Sequence, residues 1–66
     1  MKNTIKIERA LQGITQEDLA KVIGVSRQTI NAMEAGKYVP STVLALKIAK
    51  YFDKKVEDIF ELEDGE

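Results

Sequence analysis

The spacing of Ala20 and Gly24 within QEDLAKVIGVSRQTINAM, residues 16–33, constrains the fold more than any other feature of the chain. Two helices that cross steeply must approach each other at a small side chain, and Ala20 supplies one. The chain must then reverse sharply, which favours a residue that tolerates positive φ, and Gly24 supplies that. Leu19, Ile23, Val25, Ile30 and Met33 fall where they close one small core between the two helices. The opposite face of the second helix reads Arg27, Gln28, Thr29 and Asn31. A bundle helix that needs only solubility more often carries Glu and Lys there. Arg, Gln and Asn are the side chains that reach base edges in a major groove. The stretch predicts a helix-turn-helix over 16–34.

At 66 residues the chain makes one domain at most, 1–66, with a small core. It has no cysteine and no histidine, so disulfides, thiolate or zinc sites and histidine-based catalysis are excluded. No nucleophile–base constellation can be assembled, and neither an enzyme nor a cofactor is expected. No apolar run approaches the roughly 20 residues of a membrane span, and no signal peptide is visible. A cytoplasmic protein without a membrane partner is expected. The net charge of −1 conceals an uneven distribution. All ten Lys and Arg lie in residues 1–55, against five acids, whereas the last eleven residues hold six acids and no base. A basic body is thus followed by an acidic tail over 57–66.

Five helices follow from local signals. The first runs from about Thr4 to Gln12 and stops at Gly13. Thr15 caps the second, with Asp18 completing a capping-box-like start, and that helix runs to about Ile23. Ser26 caps the third, which ends near Ala35 with Gly36 as its C-cap. After the loop Lys37–Pro40, Ser41 caps a fourth helix whose apolar face is Val43, Leu44, Ile48 and Phe52. Residues 56–60, VEDIF, make a short fifth helix or turn. The alternation in Phe60-Glu61-Leu62-Glu63 equally suits the start of a strand.

Further residues complete a pattern: Arg9, GITQEDLA at 13–20, GVSRQTIN at 24–31, Glu34, Gly36-Lys37, Pro40, and the spacing of Ala45 and Ala49. With these the chain resembles the Cro/C1-type (Xre-family) helix-turn-helix transcriptional regulators from residue 5 to about 60. Its length and VEDIF ending are similar to the short stand-alone, cytolysin-repressor type. The resemblance implies an all-α, five-helix, lambda-repressor-like DNA-binding domain, to which the two terminal segments can add a small β-ribbon. It also implies that Gln16 touches a phosphate while bracing Gln28. Arg27, Gln28 and Asn31 then face the major groove, Lys37 and its loop hold the DNA backbone, and Arg9 pairs with Glu34. Two departures from the family pattern stand out. Glu8 occupies a position that is often leucine, so helix 1 is not expected to bury it in the usual way. Ala35 replaces a frequent asparagine, which removes one polar contact near the phosphates. Ile7 and Leu11 form an i, i+4 apolar pair that is expected to cover Phe60 and Leu62, or a partner subunit.

The candidate DNA-binding residues are therefore Gln16, Ser26, Arg27, Gln28, Thr29, Asn31, Lys37 and Tyr38. Each has a plainer alternative. Arg27, Gln28 and Asn31 are solvated helix residues on that view, Ser26 and Thr29 finish a cap, and Tyr38 packs on Pro40. Gln16 lies at a helix N-terminus, where free N–H groups favour an anion. Arg9 and Glu34 read better as a structural ion pair than as DNA contacts. The leading reading is a homodimeric repressor on a near-palindromic operator in double-stranded DNA, with no small-molecule effector. One alternative is an antitoxin that also represses its own operon, although only the acidic tail is spare to grip a toxin. The other is a pure protein-interaction module on the same frame, which would show no salt-sensitive DNA binding.

Overall fold

The computed structural model describes residues 1–66, which run β1 (Lys2–Asn3), α1 (Ile5–Gln12), α2 (Gln16–Ile23), α3 (Arg27–Glu34), α4 (Thr42–Tyr51), α5 (Val56–Ile59) and β2 (Phe60–Glu61). Five helices and a two-stranded antiparallel ribbon are the architecture expected from the sequence. Side-chain caps decide where the helices begin. Thr15 Oγ1 accepts the Asp18 N–H at 3.0 Å, and the Asp18 carboxylate accepts the Thr15 N–H at 3.0 Å. Two donors that α2 itself leaves unpaired are thereby satisfied. The hydrogen bond from the Thr15 N–H is the main cause that holds the Asp18 carboxyl below its ordinary pKa. Ser26 Oγ accepts the Thr29 N–H and Ser41 Oγ accepts the Leu44 N–H, each at 3.2 Å. Gly24 ends α2 at φ 87°, in the left-handed region where a side chain would be strained. Asp53, past the end of α4, adopts φ 55°; its short polar side chain tolerates what bulkier residues do not.

The core is assembled from every helix. Leu19, Ala20 and Ile23 from α2 meet Ile30 and Met33 from α3 as the helix-turn-helix spacing requires. Ile5, Ile48, Ala49, Phe52, Ile59 and Phe60 complete the cluster, and Val25 packs against it half-buried. Each fully buried Ile or Leu contributes about 2 kcal/mol by leaving water. Ala20 is buried at the helix crossing, where a larger side chain would force α2 and α3 apart.

Three sequence expectations are corrected. Val43 does not belong to the buried face of α4. It lies five residues, and hence about 140° of helix rotation, from Ile48, and it stays 61% exposed. Leu46, on the same outer side, is 55% exposed. Glu8 is buried after all, at 8% exposure, because Lys54 Nζ reaches its carboxylate at 3.3 Å and supplies the counter-charge. Ile7 and Leu11 remain exposed and do not cover Phe60, which joins the core, or Leu62, which is also exposed.

The ribbon pairs Lys2 with Glu61 and Asn3 with Phe60, and the Thr4 N–H continues it onto the Ile59 carbonyl at 2.9 Å. Asn3 has two further tasks. Its Oδ1 accepts the Ile5 N–H at 3.2 Å, and its Nδ2 donates to the Met33 carbonyl at 2.7 Å. The terminal ribbon is thereby tied to the end of α3. The acidic tail folds back too, with Glu63 and Glu66 3.3 and 3.0 Å from the Met1 α-amino group. With Asn3 acting as the side-chain acceptor, Thr4 makes no cap bond, and its hydroxyl is buried without a partner. An unpaired buried hydroxyl costs about 1 kcal/mol or more. Thr4→Val, which keeps the shape and removes the hydroxyl, is expected to raise the melting temperature by about 5 °C. A lower melting temperature by circular dichroism would show that the hydroxyl is satisfied.

Candidate nucleic-acid interface

Burying Ile30 and Met33 turns the opposite side of α3 outward. Arg27, Gln28, Asn31 and Ala35 are exposed on it, and Gln28 makes no hydrogen bond within the protein. Thr29 is half-buried, and its hydroxyl lies 3.0 Å from that of Ser26. Ser26 and Thr29 thus spend their polar groups on the start of the helix. Lys37 and Tyr38 are exposed in the loop that follows α3. That loop begins with the Lys37 N–H bonded to the Ala32 carbonyl at 2.9 Å, a closing bond made possible by Gly36 at φ 73°.

A polar network fixes α3 against α1 and α2. Arg9 donates from Nε to Glu34 Oε2 at 2.6 Å and from Nη2 to Glu34 Oε1 at 3.0 Å. Its remaining arm, Nη1, donates to the Ile14 carbonyl at 3.0 Å. One planar guanidinium therefore ties α1, the turn before α2 and the end of α3. Both side chains are largely removed from water. Burial pushes the Glu34 pKa up, but hydrogen bonds from Arg9 and Gln16 and the charges of Arg9 and Lys6 outweigh it and leave the carboxyl below its ordinary value. The bond to Glu34 raises the Arg9 pKa in turn.

Gln16, the first residue of α2, joins the same network. Its Nε2 donates to Glu34 Oε1 at 3.1 Å and to Asn31 Oδ1 at 3.2 Å. The residue braced by Gln16 is therefore Asn31 and not Gln28, which corrects the expectation drawn from the resemblance. Asn31 lies a turn further along α3, beside Glu34, and the carboxylate draws the Gln16 amide toward that end. The Thr15–Asp18 box already occupies two N–H groups at the start of α2, which leaves those of Gln16 and Glu17 as the free donors there.

Lys6 was not singled out from the sequence. It lines one shallow depression with Arg9, Gln16, Asn31, Glu34 and Ala35, beside the outward face of α3. The available signal was its position three residues before Arg9 on α1, which puts both on one face. Asn3 was missed as well, because its partner Met33 lies thirty residues away in sequence.

Residues 5–59 match the helix-turn-helix family HTH_3. The chain belongs to the Cro/C1-type helix-turn-helix family. It is similar over its whole length to an uncharacterized HTH-type transcriptional regulator of Methanocaldococcus jannaschii, 65% identical over 66 residues that cover all of both chains. YgzD of Bacillus subtilis, another uncharacterized HTH-type transcriptional regulator, is 55% identical over 64 residues, 97% of each chain. A third from Archaeoglobus fulgidus is 50% identical over 66 residues, all of this chain and 94% of its own. Family and relatives mark a DNA-binding transcriptional regulator with a helix-turn-helix domain. No helix of this Cro/C1-type protein is long and apolar enough to cross a membrane.

The depressed Glu34 pKa fixes a sign. Its contribution to stability is present above the ordinary carboxylate value of 4.5 and is lost as pH falls through the lower folded value. Arg9→Ala leaves Glu34 buried without its partner and is expected to cost about 3 kcal/mol, a melting temperature lower by about 15 °C. The variant should also be less sensitive than the wild type to acid as the pH falls below the ordinary carboxylate value. An unchanged melting temperature at pH 7 would remove the ion pair from the account of stability.

Proposed function

We propose that the protein is a homodimeric, sequence-specific repressor that binds a near-palindromic operator with α3 in the major groove. The observation that carries this reading is the outward face of α3, where Arg27 and Gln28 are exposed while the opposite side of the helix is core. Arg27 suits guanine O6 and N7, and Gln28 suits adenine N6 and N7, each worth about 1–3 kcal/mol of discrimination. Lys37, with Tyr38 beside it, contacts the backbone after α3. The free backbone N–H groups of Gln16 and Glu17 at the start of α2 meet a phosphate on the other side, and Lys6 adds a further positive charge. Blocking polymerase requires only tight occupancy of the operator, so repression asks least of the chain.

One α3 helix makes too few base contacts to single out an operator, and a two-fold dimer doubles them at half-sites about 34 Å apart. The exposed apolar side chains of α4 support a second copy as the occupant of that face. Val43 and Leu46 form a ridge beside a groove lined by Val39, Pro40, Ala45, Leu46, Val56 and Phe60. A ridge next to a groove of the same character is self-complementary under a two-fold axis. The loop 35–41 joins this patch directly to α3.

Selection from a pool of random duplex DNA at ~150 mM salt tests the reading, which expects an enriched palindrome. Arg27→Ala and Gln28→Ala should lose preference at separate half-site positions and keep the fold. Lys37→Ala should weaken binding to all sequences and lower the salt slope by about one. Operator preference unchanged in both α3 variants would overturn the docking. Leu46→Glu is expected to convert a dimer to a monomer in sedimentation. A dimer that survives Leu46→Glu but dissociates with Ile7→Glu would move the interface to α1.

A further inference from the structure

The hydrogen bonds around Glu34 have a direction, and the direction reaches the outward face of α3. A carboxylate only accepts hydrogen bonds. Glu34 accepts from Arg9 and from Gln16, so the end of Gln16 that faces it is the amide nitrogen and not the oxygen. That nitrogen has two hydrogens. One goes to Glu34 Oε1 at 3.1 Å, and the other faces Asn31 at 3.2 Å. A donor there requires an acceptor, so Asn31 turns its Oδ1 inward and its Nδ2 outward. Asn31 is exposed, and its Nδ2 donates to nothing within the protein. The ion pair holds Glu34 charged, so the arrangement does not reverse near neutral pH.

We propose that Asn31 reads guanine and discriminates against adenine, and that Gln16 is the positioning residue that sets this preference through Glu34. The proposal rests on α3 lying in the major groove. Asparagine recognises adenine by offering its oxygen and nitrogen together, to N6 and N7. Here the oxygen is turned toward Gln16, and the outward edge is a pair of donors. Guanine presents two neighbouring acceptors, O6 and N7, to such a pair, whereas adenine places a donor, its amino group, against it. Thymine O4 and phosphate oxygens are also acceptors. Guanine is favoured because its O6 and N7 place two adjacent acceptors within reach of the one Nδ2 group.

The test is the same selection from random duplex DNA, run on wild type, Asn31→Ala, Asn31→Asp and Gln16→Met, with each variant's fold checked by thermal melting. Wild type is expected to require guanine at one position of each half-site. Asn31→Ala should lower discrimination there about tenfold. Asn31→Asp keeps an acceptor for Gln16 but presents only acceptors outward, so the preferred base should change from guanine to cytosine, whose N4 donates. Gln16→Met frees the Asn31 amide to turn over, and adenine should then be accepted beside guanine, whatever the loss in overall affinity. Four results would overturn the proposal: preferences in Asn31→Ala identical to wild type with uniformly weaker binding, which marks a phosphate contact; thymine or adenine at the affected position; no change of base in Asn31→Asp; or guanine alone retained in Gln16→Met. A wild-type protein that enriches no sequence would overturn the groove docking itself. Should Gln16→Met fail to fold, the comparison of Asn31→Asp with Asn31→Ala decides.

Discussion

The pairing of Arg9 with Glu34 is the interaction on which the placement of the other elements depends. The two residues are twenty-five positions apart, on α1 and α3, and their bidentate contact removes both charges from water. A buried pair of this kind is a weak source of net stability, because desolvation opposes attraction. Its consequence is geometric. Arg9 also holds the Ile14 carbonyl, and Glu34 also holds Gln16, so the turn before α2 and the first residue of α2 are placed by the same two side chains. The hydrophobic contacts of Leu19, Ile30 and Met33 drive α2 and α3 together but are not directional. The polar network supplies the direction, and with it the pose in which the exposed face of α3 meets solvent.

The terminal segments hold the same end of that helix. Asn3 bonds the carbonyl of Met33, near the C-terminus of α3, while β1 pairs with β2. The α3 helix is therefore held by α1 and α2 on one side of its last turn and by the ribbon on the other. A domain this small has little core to spend on rigidity. Fixing the last turn of one short helix with hydrogen bonds is an economical alternative. It also suits binding, because a helix that is already placed loses little freedom on docking.

Much of this was legible in the sequence, for local reasons. The caps at Thr15, Ser26 and Ser41 and the left-handed glycines at 13 and 24 act within a few residues of themselves. The core positions of α2 and α3 follow from helical periodicity, and the alternation after Ile59 suits a strand, whereas its pairing with the other terminus came from the family resemblance. What was not legible depends on partners brought together only by the fold. Glu8 reads as a charge that α1 must leave in water until Lys54 arrives beside it. Gln16 reads as a brace for Gln28 until Glu34, charged and held by Arg9, draws its amide toward Asn31. Val43 was misplaced because α4 is apolar on more than one side, so periodicity does not choose which side is buried. Residue types were read correctly in each case; the pairings needed three dimensions.

The central claim is that α3, held by this network, is the surface that meets DNA. The most direct test is nuclear magnetic resonance of isotopically labelled protein titrated with a duplex carrying its selected site. The account predicts that the side-chain amides of Gln28 and Asn31 and the backbone amides of α3 and the start of α2 move together, while the β1–β2 ribbon stays unchanged. Perturbation confined to α4 and the ribbon, with the α3 side-chain amides unmoved, would contradict it.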